Sequence, residues 1–206
     1  LTITDRPMGR GMAAGITQVT VDVTFLCMDR APPGPIPALP EGYEIRREVH
    51  PAVSLYRDLY NRVGQDYCWW LRRVMGDAQL ADLLGNPAVG VYILRHHGEV
   101  AGFFELDARQ CPDINLAYFG LLPQWIGRGV GLSFLHAAIR TAWWQRPAAL
   151  RVNTCSADHP RALPNYIRAG FRVVRVLREV WDIPDHIGLR LPEISWNPGL
   201  AHRSGS

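Results

Sequence analysis

The chain has 206 residues, 48% of them hydrophobic and 20% charged, with a formal net charge of +3 at pH 7, which suits one globular domain with a sizeable core. The surplus charge is spread along the chain and gives no footprint for nucleic acid. No apolar run reaches the roughly 18 residues of a membrane span, and the first residues lack a charged-then-apolar signal pattern. All 22 basic residues are arginine, which excludes lysine Schiff-base chemistry and the Walker phosphate loop. Cys27, Cys68, Cys111 and Cys155 show no C-x-x-C spacing, so neither a zinc site nor a disulfide framework is indicated. The expectation is a soluble cytoplasmic protein with reduced thiols and no metal.

Residues 1–17 have no apolar period and are expected to be loosely ordered. A β-branched, alternating stretch from about 18 to 27 predicts a strand. Residues 31–40 hold five prolines and a glycine and form a stiff connector. Residues 1–40 are thus an N-terminal extension with one strand. Tyr43–Val49 is a predicted strand. Pro51 opens a helix that ends near Gly64. A second, aromatic-rich helix is predicted over Tyr67–Met75, and a third, Ala78–Leu84, stops at Gly85-Asn86-Pro87. Val89–Arg95 and Glu99–Asp107 form a hairpin around His96-His97-Gly98, and Asp113–Leu122 is a third strand. A glycine-rich loop and a helix from about Gly129 to Gln145 follow. Strand Ala149–Thr154, helix Arg161–Ala169 and strand Phe171–Ile183 complete the pattern. From 183 to 206 no period is visible.

The glycine-rich loop is the most informative segment. Between an apolar strand and the helix, Pro123-Gln124-Trp125-Ile126-Gly127-Arg128-Gly129-Val130-Gly131 has glycines at alternate positions. Without Cβ atoms, successive main-chain N–H groups can turn toward one anion. The helix start aims its free N–H groups and positive dipole end at the same point, and Arg128 could add a charged donor at the rim. The pattern is not the dinucleotide fingerprint, because Leu132 and Phe134 stand where glycines are needed and no acidic residue follows at the required distance.

This loop resembles the pyrophosphate loop Q/R-x-x-G-x-G/A of the GNAT superfamily of acyl-CoA-dependent N-acyltransferases. Ala162-Leu163-Pro164-Asn165-Tyr166-Ile167-Arg168-Ala169-Gly170-Phe171 resembles that family's A-x-x-x-Y-x-x-x-G-F, and the order of elements over residues 41–182 is similar too. The resemblance implies an α/β (mixed α+β) single domain. Its mostly antiparallel mixed sheet would splay at an acyl-CoA slot, with helices on both faces. It implies acetyl-CoA as cosubstrate, held by Leu121, Ile126, Gly127, Arg128, Gly129, Val130, Gly131, His159 and Tyr166, and an amine acceptor attacking directly in a ternary complex. The N–H of Leu121 would then hold the thioester carbonyl, and Tyr166 would protonate the departing thiolate.

The chain also departs from the pattern. If Gly129 and Gly131 occupy the motif's two glycine positions, its leading Gln/Arg falls on Ile126; aligning Gln124 there puts Gly127 and Gly129 in register instead. His159 stands where an asparagine is common, and could equally be a helix-start residue. Pro164 precedes Tyr166 and delays or kinks the helix. Asn115 stands where some members have a basic glutamate. Glu105, among Phe103, Phe104 and Leu106, is the first substitute because apolar surroundings raise a carboxyl pKa; Asp107 and Tyr118 come next. Asp66, Tyr67, Trp69 and Trp70 line an acceptor pocket or simply pack in the core. A non-catalytic acyl-CoA sensor is the alternative, acyl transfer to a hydroxyl or from aminoacyl-tRNA a third reading, and a homodimer is open.

Overall fold

The computed structural model describes residues 15–35 and 37–190. The expected loose start and aperiodic end fall largely on 1–14 and 191–206, outside the described residues. The elements run β1 (Ile16–Met28), β2 (Tyr43–Glu48), α1 (Val53–Val63), α2 (Asp77–Gly85), β3 (Val89–His96), β4 (Glu99–Asp107) and β5 (Ile114–Leu121), then a 3-10 turn (Pro123–Trp125) and α3 (Gly131–Trp143). They continue with β6 (Leu150–Cys155), α4 (Ala162–Arg168), β7 (Arg172–Pro184) and a short 3-10 turn (Asp185–Ile187).

The seven strands form one mixed sheet in the order β2-β3-β4-β5-β6-β1-β7. All neighbours are antiparallel except β5 and β6, which run parallel and pair only at Ile114–Leu150 and Asn115–Arg151. Beyond those two positions the strands part, and their C-terminal halves open a slot in the middle of the sheet.

Alternation along β4 sends successive side chains to opposite faces. Phe103 meets Tyr56 of α1 edge-on at 5.9 Å, and Phe104 meets Phe134 of α3 at 5.6 Å. The end of α4 approaches Met28, which also receives the indole N–H of Trp143 in α3, so α3 and α4 share the second face. Helices therefore cover both faces, and one apolar cluster joins them through the sheet.

Two arrangements differ from the sequence expectation. Residues 67–75 are turns, not a helix. Trp69 folds back over Gly64, where an added Cβ would come within 2.4 Å of the Trp69 Cβ, and its ring packs on Tyr60 and Tyr118. Arg57 donates to the carbonyls of Arg72 and Met75, and Arg73 to those of Asn61 and Trp69. Side-chain donors here satisfy the carbonyls that a helix would otherwise pair. The second difference concerns β1. The strand assigned to an N-terminal extension lies inside the sheet, antiparallel to both β6 and β7. Pro164 is accommodated as the third residue of α4, in the first turn, where its missing N–H has no helical partner to lose.

Candidate active site

The glycine loop is shaped by backbone rather than by packing. Gly127 and Gly129 have φ of +85° and +81°, and a Cβ on either would meet nothing within 4 Å. Their left-handed conformation selects glycine, while open space lies in front of them. Gly131 is already the first residue of α3. The first helical N–H to find a partner there is that of Phe134, on the Val130 carbonyl at 2.9 Å, and no side chain caps the helix. The N–H groups of residues 131–133 are thus left for an external acceptor. Arg128 folds back onto its own loop, donating to the Gln124 carbonyl at 3.0 Å and lying 4.5 Å over the Trp125 ring.

The loop stands beside the slot. The β4–β5 ladder slips by one residue between Tyr118 and Leu116, leaving Ala117 as an extra residue that bends β5 away from regular pairing. Further on, the N–H of Leu122 bonds the Ala101 carbonyl at 2.9 Å. Successive N–H groups of a strand point to opposite sides, so that of Leu121 is directed away from β4, toward the slot.

A cleft of about 920 Å³ passes through this slot from one face of the sheet to the other. Leu121, Ile126, Gly127, Gly129, Gly131, His159 and Tyr166 line it, as do Asn115, Asp107, Tyr118, Tyr67, Trp69 and Trp70. Four expected site residues do not: Arg128, the buried Val130, Glu105 and Asp66. Tyr166 is 7% exposed. Burial and then the nearby Asp158 push its phenol above the ordinary range, so it stays protonated and can donate. Asp158 accepts from the Thr154 hydroxyl and the Cys155 N–H, closing the turn after β6. His159 Nδ1 accepts the Arg161 N–H at 3.1 Å, which turns the ring edge carrying Nε2 outward from this turn.

Glu105 is fully buried. Its Oε1 accepts from Arg72 at 2.8 Å and its Oε2 from the Tyr56 hydroxyl, so both oxygens are spent on a structural network rather than turned to the cleft. Of the alternatives, burial would raise the Asp107 carboxyl, but hydrogen bonds from Arg109 outweigh it and hold the group below its usual value. Burial pushes the Tyr118 phenol up.

Several lining residues were not anticipated. Arg161 stands at the N-cap of α4 and Asn165 and Arg168 within it, Val23 and Phe25 come from β1, and Glu179 and Trp181 from β7. The α4 arginines sit beside the Tyr166 motif and were open to detection at helical spacing. Nothing local marks the β1 and β7 residues, because their proximity comes from long-range pairing.

No family model matches the sequence. An uncharacterized N-acetyltransferase of Mycobacterium tuberculosis is 28% identical over 101 residues, 48% of this chain and 63% of that protein; a Mycobacterium bovis protein of the same description matches equally. The chain thus spans less than two thirds of the length of these relatives. Among solved structures, a GCN5-related N-acetyltransferase from Sphaerobacter thermophilus superposes with a TM-score of 0.57 at 18% identity, over 82% of this chain and 54% of that one. A second, from Kribbella flavida, gives 0.55 at 17% over 85% and 63%. The fold is that of the GNAT N-acetyltransferases, and the sequence similarity points to proteins of the same description.

Proposed function

We propose that the protein transfers an acetyl group from acetyl-CoA to a primary amine by direct attack within a ternary complex. The observation that carries this reading is the cleft through the parted β5 and β6, with the glycine loop and the free start of α3 at its edge. An anionic, elongated thioester suits such a passage. The N–H groups of the loop and of residues 131–133 would hold its pyrophosphate. Arg161 and Arg168, which have no carboxylate partner among the described residues, would add charged donors to its phosphates.

The chain's own groups then divide the work. The Leu121 N–H would polarise the thioester carbonyl and take up the charge that grows on oxygen, a contribution of about 3 kcal/mol for one such donor. Tyr166, protonated at neutral pH, would give its proton to the departing sulfur. Asn115 and Asp107 would orient a water that takes the proton from the amine, and Glu105 acts as a positioning residue by fixing Arg72. Arg128 stiffens the loop rather than contacting the cosubstrate.

Calorimetric titration with acetyl-CoA, on the wild type and on Gly129→Glu, tests this. Micromolar binding abolished by the substitution is expected, together with thiol release when an amine is added. Binding unaffected by the substitution overturns the cosubstrate's assignment to this loop, and binding without turnover on any amine favours an acyl-CoA sensor.

A further inference from the structure

The cleft has two walls of different chemistry. Beside α4 it carries arginines. On the opposite face of the sheet it is lined by Phe25, Tyr67, Trp70, Trp181 and Glu179. Phe25, Trp70 and Trp181 pack on a second, smaller apolar cluster built on Val19, Val21 and Val23 of β1, separate from the main core. All four aromatic residues are half-buried, so each retains some surface that a bound molecule could cover. Aromatic surface held in a concavity favours flat apolar groups. The wall also tolerates cations, since the Arg175 guanidinium lies 4.6 Å from the centroid of the Phe25 ring.

This wall also carries a carboxylate. Glu179 Oε2 accepts the Trp181 indole N–H at 2.8 Å, which fixes the carboxylate beside the ring and leaves Oε1 without a partner among the described residues. Arg72, which also lines the cleft, is paired with Glu105 at 2.8 Å.

We infer that the acceptor is an amine carried on a flat aromatic body, an arylalkylamine. Its ring lies against Trp70 and Trp181, and Glu179 draws in its protonated form. This rests on the acetyl-transfer reading above for the chemistry, but the recognition of the amine can be measured by itself.

The experiment is calorimetric titration of the full chain, with and without saturating CoA, using 2-phenylethylamine and spermidine, followed by thiol-release assays on both amines. 2-Phenylethylamine is expected to bind at least about tenfold more tightly than spermidine, in line with a buried ring stacked on aromatic partners. Trp181→Ala should weaken it by about tenfold with acetyl-CoA affinity unchanged, Trp181→Phe should restore most of the loss, and Glu179→Gln should remove the salt dependence of binding. Spermidine binding as tightly as 2-phenylethylamine would overturn the inference. So would a Trp181→Ala loss that appears equally for acetyl-CoA and is not rescued by Trp181→Phe. Aryl preference without acetyl-CoA binding would keep the site and remove the transferase reading; acetyl-CoA binding without aryl preference would do the reverse.

Discussion

Arg72 and Glu105 meet at 2.8 Å between the segment after α1 and strand β4, with the carboxylate wholly buried and the guanidinium nearly so. The carboxylate has no water to fall back on, so removing Arg72 strands it. Arg72→Met is expected to cost about 3–5 kcal/mol, and the double variant Arg72→Met/Glu105→Leu less than the single one. Urea denaturation of the three proteins measures both. A single variant within about 1 kcal/mol of wild type would mean that the pair opens to solvent.

Tyr166 contributes a proton only if its hydroxyl faces the leaving sulfur. Tyr166→Phe keeps the ring and its edge-on contact with Phe171 at 5.8 Å. Turnover should fall about a hundredfold or more while acetyl-CoA affinity and melting temperature hold. Unchanged turnover would make Tyr166 a packing residue.

Burial pushes the thiol of Cys68 up to about 11 and that of Cys155 up to about 12, from an ordinary 9.0, with Asp158 adding to both. Each folded value lies above the unfolded one, so the unfolded chain releases its protons first as pH rises. The stabilisation is complete below about pH 9 and is lost between 9 and 11 for Cys68 and between 9 and 12 for Cys155. Denaturation midpoints should therefore decline above pH 9. Iodoacetamide at pH 8 should label the exposed Cys111 well before either cleft thiol, as read by peptide mass spectrometry. Rapid labelling of Cys155 at pH 8 would contradict its raised thiol.

β1 pairs with β6 over Val23–Met28 and with β7 over Ile16–Cys27. A chain beginning at Tyr43 loses both ladders and exposes two apolar strands. It should be insoluble or lack a cooperative melt. A soluble, cooperative Tyr43 truncation would show that β1 is dispensable.

What the sequence disclosed follows the range of the interactions. The glycine loop is a run of neighbours whose backbone needs show in residue type, so Gly127 and Gly129 could be found directly. The period of α1, α3 and β3–β5 was equally local. Glu105 could be seen as a carboxylate among phenylalanines, but its partner stands 33 positions earlier, so its commitment to Arg72 was hidden. Aromatic composition over 67–75 suggested a helix; carbonyls held by Arg57 and Arg73 decided otherwise. The strand near the start was legible as a strand, but its neighbours were not, because pairing partners leave no local mark.

The insertion of β1 between β6 and β7 also bears on how the molecule comes into being. Gln18 and Asp182, bonded side chain to side chain, are 164 positions apart. On the ribosome β1 is made before β6 and β7 and must wait, unpaired, for both. Contacts of such sequence separation slow folding and prolong the time that an apolar strand stands open. Because β1 and β7 supply one wall of the cleft, any acceptor pocket there comes into existence only once these strands have paired. Assembly and competence to receive an acceptor would then be a single step.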